Sequence, residues 1–143
     1  LMFKPFEYGE HTADILVIAR GLTLAEAFAN AALGVLNIMY DTSRVEGRES
    51  YEVSVEGMDL EQLLFNWIDE IIYWFDGRKF AIGSIDVTQL DEGRAYMRAV
   101  LRGEKYSIDK HGFRGTIVKA VTYNMMEIRR EDSVYRVQFV VDI

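Results

Sequence analysis

The stretch from Leu60 to Phe75, LEQLLFNWIDEIIYWF, constrains the fold more than any other part of the chain. Leu60, Leu63, Leu64, Trp67, Ile68, Ile71, Ile72 and Phe75 recur at helical spacing and form a broad apolar stripe. A helix this widely apolar has to be covered, which implies a central helix laid against a sheet. Its limits are written locally. Asp59, after Gly57, supplies the N-cap, Gln62 closes a capping box, and Asp76-Gly77 stops the helix. Glu61, Asp69 and Glu70 interrupt the stretch, so it is too short and too charged to span a bilayer. Asn66, Asp69, Glu70 and Tyr73 form its wet stripe, and Trp67, Trp74 and Phe75 belong to the core rather than to a base-stacking platform.

A second helix starts at Thr23, with Glu26 completing another capping box. Leu24, Phe28, Ala31, Val35 and Met39 share one face, and the helix ends near Tyr40, before the loop DTSRVEG. The remainder reads as strands. Ile15 to Arg20 is a continuous apolar run, consistent with burial on both faces. Glu49 to Glu56 alternates, with Tyr51, Val53 and Val55 on one side. Ile85–Leu90 and Arg94–Leu101 flank Asp91-Glu92-Gly93 as a hairpin, and EKYSIDKHGFRG follows as a loop. Thr116–Arg130 and Val134–Asp142 form a long hairpin around Glu131-Asp132-Ser133. The fold class is α+β: one domain over residues 1–143, a largely antiparallel β-sheet packed against two main α-helices. No repeat, linker or low-complexity segment interrupts it.

Half of the 143 residues are hydrophobic and 27% are charged, the balance of a folded domain with a substantial core. The absence of cysteine removes disulfides, thiolate metal sites and cysteine nucleophiles. It also fits a reducing compartment. The amino terminus lacks the apolar run of a signal peptide, so a cytoplasmic protein with no membrane association is expected. A net charge of −7 puts direct nucleic-acid binding at a disadvantage, because that affinity comes from cations replacing counterions on phosphates. Arg129-Arg130 is the densest basic pair, and Glu127, Glu131 and Asp132 surround it. No G-x-x-x-x-G-K-[ST], G-x-G-x-x-G or G-x-S-x-G motif occurs, which leaves phosphate loops and hydrolase elbows without support.

The polar residues with chemical potential sit at strand ends. Asp14 opens an apolar strand, while Asp142 closes the last one beside Ile143 and its α-carboxylate. Carboxylates held close repel unless one is protonated or a cation sits between them. Three oxygen donors without sulfur suit a hard ion such as Ca²⁺, Mg²⁺ or Mn²⁺. The plainer reading is that strand-end aspartates are solvated and that chain termini fray. His11, in HTAD, has three readings: a ligand, a general base, or a turn residue bonded to Thr12 or Asp14. With His111 the only other histidine, a histidine-rich zinc site is hard to build. Lys119 interrupts an apolar run and either occupies a solvent face or sets a cation beside carboxylates or a phosphate.

EHTADI, TLAEAFANAALG, DTSRVE, VEGMDLEQLLFNWIDE, VKAVTY and the ending VVDI stand in this order across the chain. Together they resemble the archease family from about Phe6 to Ile143. The resemblance implies a small cytosolic accessory protein, not itself an enzyme, that serves RtcB-type RNA ligases in tRNA splicing. Such a protein accelerates guanylylation of the ligase, supports multiple turnover and broadens nucleotide use. The ligase joins a 2′,3′-cyclic phosphate or 3′-phosphate end to a 5′-hydroxyl with GTP and Mn²⁺. The resemblance also implies a metal site at Asp14, Asp142 and Ile143 for Ca²⁺ or Mn²⁺, with Lys119 as the functional lysine and His11 as part of the signature. It does not identify a catalytic residue in this chain. One departure stands out: Asn124 follows Tyr123 where the family often has histidine, and an amide cannot shuttle protons near neutral pH.

Two other functions remain open at this stage. A metal-dependent hydrolase or nuclease would use the same carboxylates with His11 as base. A chaperone-like module for RNA-modifying enzymes would act without them.

Overall fold

The computed structural model describes residues 2–9 and 13–143. Three helices and eight strands follow in the order β1 (Phe6–Gly9), β2 (Asp14–Gly21), α1 (Leu24–Asn37), β3 (Glu49–Glu56), α2 (Leu60–Asp76), β4 (Phe80–Asp91), β5 (Tyr96–Lys105), α3 (Ile108–His111), β6 (Ala120–Val121), β7 (Glu127–Glu131) and β8 (Val134–Asp142). Every strand pair is antiparallel. One sheet runs β1-β2-β8-β6, with β7 also on β8, and the other runs β3-β5-β4. Helix α1 packs against β2 and β8 of the first sheet and β4 of the second, and α2 packs against α1, β3, β4 and β6. The expected α+β architecture is therefore present, with its antiparallel strands divided between two sheets.

Both main helices start where their caps require. The Thr23 hydroxyl accepts the Glu26 N–H at 3.1 Å, and the Asp59 carboxylate accepts the Gln62 N–H at 2.8 Å. The return arms of both boxes, Glu26 and Gln62, accept from the residue before the cap, Leu22 and Met58. Leu63, Leu64, Trp67, Ile68, Ile71, Ile72, Trp74 and Phe75 of α2 are all buried. Trp67 also donates its indole N–H to the Phe28 carbonyl of α1 at 2.9 Å, satisfying the polar edge of a fully buried ring.

Several expectations change, among them the hairpin strands, which run Phe80–Asp91 and Tyr96–Lys105 rather than Ile85–Leu90 and Arg94–Leu101. Helix α1 ends at Asn37 rather than near Tyr40. Strand β1, outside the predicted set, pairs Phe6–Gly9 with Ala19–Leu16. Residues 104–115 are not one loop, because Glu104 and Lys105 finish β5 and Ile108–His111 form the helical turn α3. The predicted strand from Thr116 to Arg130 is reduced to β6 (Ala120–Val121) and β7 (Glu127–Glu131), with no strand at Thr116–Lys119 or at Thr122–Met126, where Met125 adopts a positive φ of 55°. The Gln138 side-chain amide holds this break by donating to the Met125 carbonyl at 2.9 Å.

The end of α1 is fixed through Tyr40. This buried ring stacks on Phe75, and its hydroxyl serves both main-chain groups of Ile82 in β4. The Ile82 N–H donates to it at 2.8 Å, and it donates to the Ile82 carbonyl at 3.0 Å. Removing the hydroxyl leaves two buried main-chain groups without a partner. Tyr40→Phe is therefore expected to lower stability by about 2–3 kcal/mol, read as a lower urea midpoint at unchanged m-value. A change below about 0.5 kcal/mol would mean that water replaces the hydroxyl.

Candidate functional site

Strands β2 and β8 pair over eight consecutive rungs, from Gly21 opposite Tyr135 to Asp14 opposite Asp142. The middle of both strands is buried on both faces, with Val17, Ala19, Val137, Phe139 and Val141 fully buried on one and Ile18, Gln138 and Val140 nearly so on the other. The last rung therefore sets two aspartates directly across from one another. Directly opposed residues project from the same face, with Cβ atoms about 4.5–5.5 Å apart. Both aspartates are half-buried, and among the described residues neither carboxylate has a hydrogen-bond or ion-pair partner. Like charges at this spacing oppose pairing unless a proton or a cation compensates them.

The neighbouring segment closes this end of the sheet. Ala120 of β6 stands opposite Asp142 on its other side, and the Lys119 N–H donates to the Asp142 carbonyl at 2.8 Å. Ala13, Gly115, Thr116, Ile117, Lys119 and Ile143 line an adjoining shallow depression of about 400 Å³. Asp14, Asp142, Ile143 and the Lys119 main chain thus meet at one sheet end. The Lys119 side chain is exposed and forms no ion pair within the described residues. His11 and Thr12 lie outside the described residues. Asn124 is exposed, and its carbonyl accepts the Val140 N–H at 3.2 Å.

The donor chemistry fits a hard cation, since the two side chains offer only oxygen. Among the described residues no group of three or more His, Cys, Asp or Glu side chains could hold a metal ion. A third ligand would have to come from the main chain, from water or from a partner.

A second polar cluster was not singled out in the sequence. Glu104 and His111 are 8% and 1% exposed. The Glu104 carboxylate accepts the Glu46 N–H at 2.8 Å and the Lys110 ammonium at 2.9 Å. His111 Nε2 lies 3.0 Å from it, and Arg48 Nε lies 3.2 Å away. On the far side of the imidazole, Nδ1 accepts the Ser107 N–H at 3.0 Å. The ring proton therefore sits on Nε2 and points at Glu104. A catalytic Asp/Glu–His pair presents its second nitrogen to a nucleophile or substrate. Here a main-chain N–H occupies that nitrogen, so the dyad is a clamp joining β5, α3 and the segment before β3. The sequence signal was faint: Glu104, Lys110 and His111 share one short segment, but their partners Glu46 and Arg48 come from far along the chain.

No helix is long and apolar enough to cross a membrane among the described residues. A model of the archease protein family (MTH1598/TM1083) matches residues 6–143. The chain is 54% identical to protein archease of Pyrobaculum neutrophilum over 96% of this chain and 95% of that one. It superposes on the solution structure of Methanobacterium thermoautotrophicum protein 1598 with a TM-score of 0.77, at 34% identity, covering 99% of this chain and 100% of that one. A Thermotoga maritima crystal structure, described as an archease and possible chaperone, gives a TM-score of 0.61 at 23% identity, covering 100% and 98%. That last likeness is one of fold.

The clamp carries a pH signature. The Glu46 N–H, His111 and Lys110 stabilise the Glu104 carboxylate and lower its pKa from 4.5 to about 2. A depressed carboxylate pKa contributes stability above the unfolded value and loses it as pH falls through the folded one. Stability is therefore expected to drop between about pH 4.5 and about pH 2, and Glu104→Gln should flatten that part of the profile. Urea midpoints measured across this window provide the check. Equal slopes in both proteins would remove Glu104 as the cause.

Proposed function

Since the chain belongs to the archease family, we propose that it is a cytoplasmic protein activator of an RtcB-type RNA ligase rather than an enzyme. It would accelerate guanylylation of the ligase and support multiple turnover in tRNA splicing through a divalent-cation site at its acidic sheet end. The observation that carries this reading is the rung pairing Asp14 with Asp142, two half-buried carboxylates without a described partner. Asp14 and Asp142 would hold the ion, with the Ile143 carboxylate as a third ligand and Ca²⁺ or Mn²⁺ as the occupant. Such an ion supplies positive charge that can neutralise a nucleotide's phosphates during phosphoryl-type transfer.

The chain's own residues do the rest. Asp14 and Asp142 are fixed by the β2–β8 ladder, so they meet an incoming group in a set geometry. The Lys119 main chain holds the Asp142 carbonyl, and its exposed side chain is placed to reach a phosphate or a ligase carboxylate. A charge of −7 suits docking on a protein that binds RNA through a basic face.

Asp14→Ala is expected to leave the fold intact and to reduce stimulation of ligase guanylylation at least tenfold at low Mn²⁺. The assay compares the cognate ligase with no addition, with this protein and with the variant. Undiminished stimulation by the variant would refute the site and favour a chaperone-like action. Hydrolysis of RNA or nucleotide by the isolated protein with Mn²⁺ would instead favour an enzyme. In a separate measurement, Ca²⁺ or Mn²⁺ should raise the melting temperature of the wild type but not of Asp14→Ala.

A further inference from the structure

Strand β4 has a free edge, and its orientation can be worked out. Ile82 turns its N–H and carbonyl away from β5, because both bond to the Tyr40 hydroxyl. Facing residues in an antiparallel ladder orient their main-chain groups together, and the orientation alternates along each strand. Gly103, opposite Ile82, therefore points its groups towards β3. Strand β5 pairs with β3 without irregularity from Tyr96 to Gly103, so Leu101 and Ala99 point the same way. Their partners on β4, Ile85 and Val87, must turn N–H and C=O to the outer edge. Among the described residues, neither has a main-chain partner on that side.

This edge opens onto two adjoining depressions of about 330 and 410 Å³. Both are bounded by Thr23 and Ala25 at the start of α1 and by Val87 of β4. The larger lies beside the irregularity between Val87 and Gln89, where the extra residue Thr88 bends the strand. The edge is therefore straight over Ser84–Val87, a run of about 13 Å, and then widens.

The charge around it is one-sided. Glu26, Asp86 and Glu92 line the depressions. Among the described residues Arg130 is the only lining cation, and it donates to the Asp132 carbonyl at 3.0 Å and lies over Tyr135. The other edges are guarded differently: β3 carries Glu49, Glu52 and Glu56, while β1, β6 and β7 span only four, two and five residues.

We infer that the β4 edge is a docking site for an extended, basic segment of another protein, which adds as a strand beside Ser84–Val87 and places its side chains in the two depressions. Main-chain bonds to Ile85 and Val87 supply affinity, and lysine or arginine against Glu26, Asp86 and Glu92 supplies selection. A second copy of this chain is a poor occupant. Edge-to-edge pairing would bring Asp86 towards its own image, between molecules each carrying −7. The inference is independent of the cation site.

The probe is a capped seven-residue peptide alternating valine and lysine, titrated into the full chain and followed by amide NMR and hydrogen exchange. Shifts should centre on Ser84–Leu90 and the start of α1, and the Ile85 and Val87 amides should gain protection. Val87→Pro removes an outward N–H that the sheet does not use, a position where an edge strand tolerates proline. It should weaken binding at least tenfold. A peptide N-methylated at alternate residues, tested in both phases, should lose binding in one phase only, a readout that needs no variant to fold. Equal binding by a peptide with glutamate for lysine would overturn the inference. So would equal binding in both phases, or a concentration-dependent dimer that protects the same amides.

Discussion

The β2–β8 ladder is the constraint on which the rest depends. It joins residue 14 to residue 142, and its middle is buried on both faces. A slip of one residue would exchange the fully buried Val17, Ala19, Val137 and Phe139 with Ile18, Gln138 and Val140 and set the Gln138 amide into the apolar interior, so the packing rules it out. The core thereby selects the polar geometry at the margin. Asp14 faces Asp142 because the buried residues along β2 and β8 cannot pack otherwise.

Two groups of acids in this fold meet the cost of burial in opposite ways. Glu104 is supplied with donors from Glu46, Lys110, Arg48 and His111, and its charge is settled within the molecule. That arrangement fixes three segments and leaves no nitrogen free for chemistry. Asp14 and Asp142 have no described donors of this kind. A buried charge satisfied internally serves architecture, whereas a facing pair left to external compensation is available for recognition. Without such an inventory of partners, the buried histidine would be the more tempting candidate for catalysis.

Much of the architecture could be read from the sequence because it is local. The capping boxes at Thr23 and Asp59 and the stripe on α2 depend on residues three or four apart, and β3 falls on its alternating segment without error. The misses come from backbone choices with no residue signal. Met125 takes a positive φ without glycine, so the β6–β7 break was invisible. Lys79 does the same after α2, which hid the early start of β4 at Phe80. Asp14, Asp142 and Ile143 stood out as oxygen donors at strand ends, but the family resemblance joined them into one site, since no local pattern brings residue 14 to residue 142. Glu104 and His111 were missed for the same reason: a clamp assembled from distant segments leaves no period to detect.

The broken pairing along β8 has a consequence for motion. From Tyr135 to Gln138 the strand is flanked by β7 on one side and β2 on the other, and at Val141 and Asp142 the two residues of β6 take the place of β7 opposite β2. The tip is therefore held on both sides, and the Lys119 N–H on the Asp142 carbonyl and the Thr122 N–H on the Val140 carbonyl add to its rungs, so it moves with the layered interior rather than apart from it. Whatever binds at the tip meets a main chain already ordered by its neighbours, so little of the binding energy is lost to ordering it.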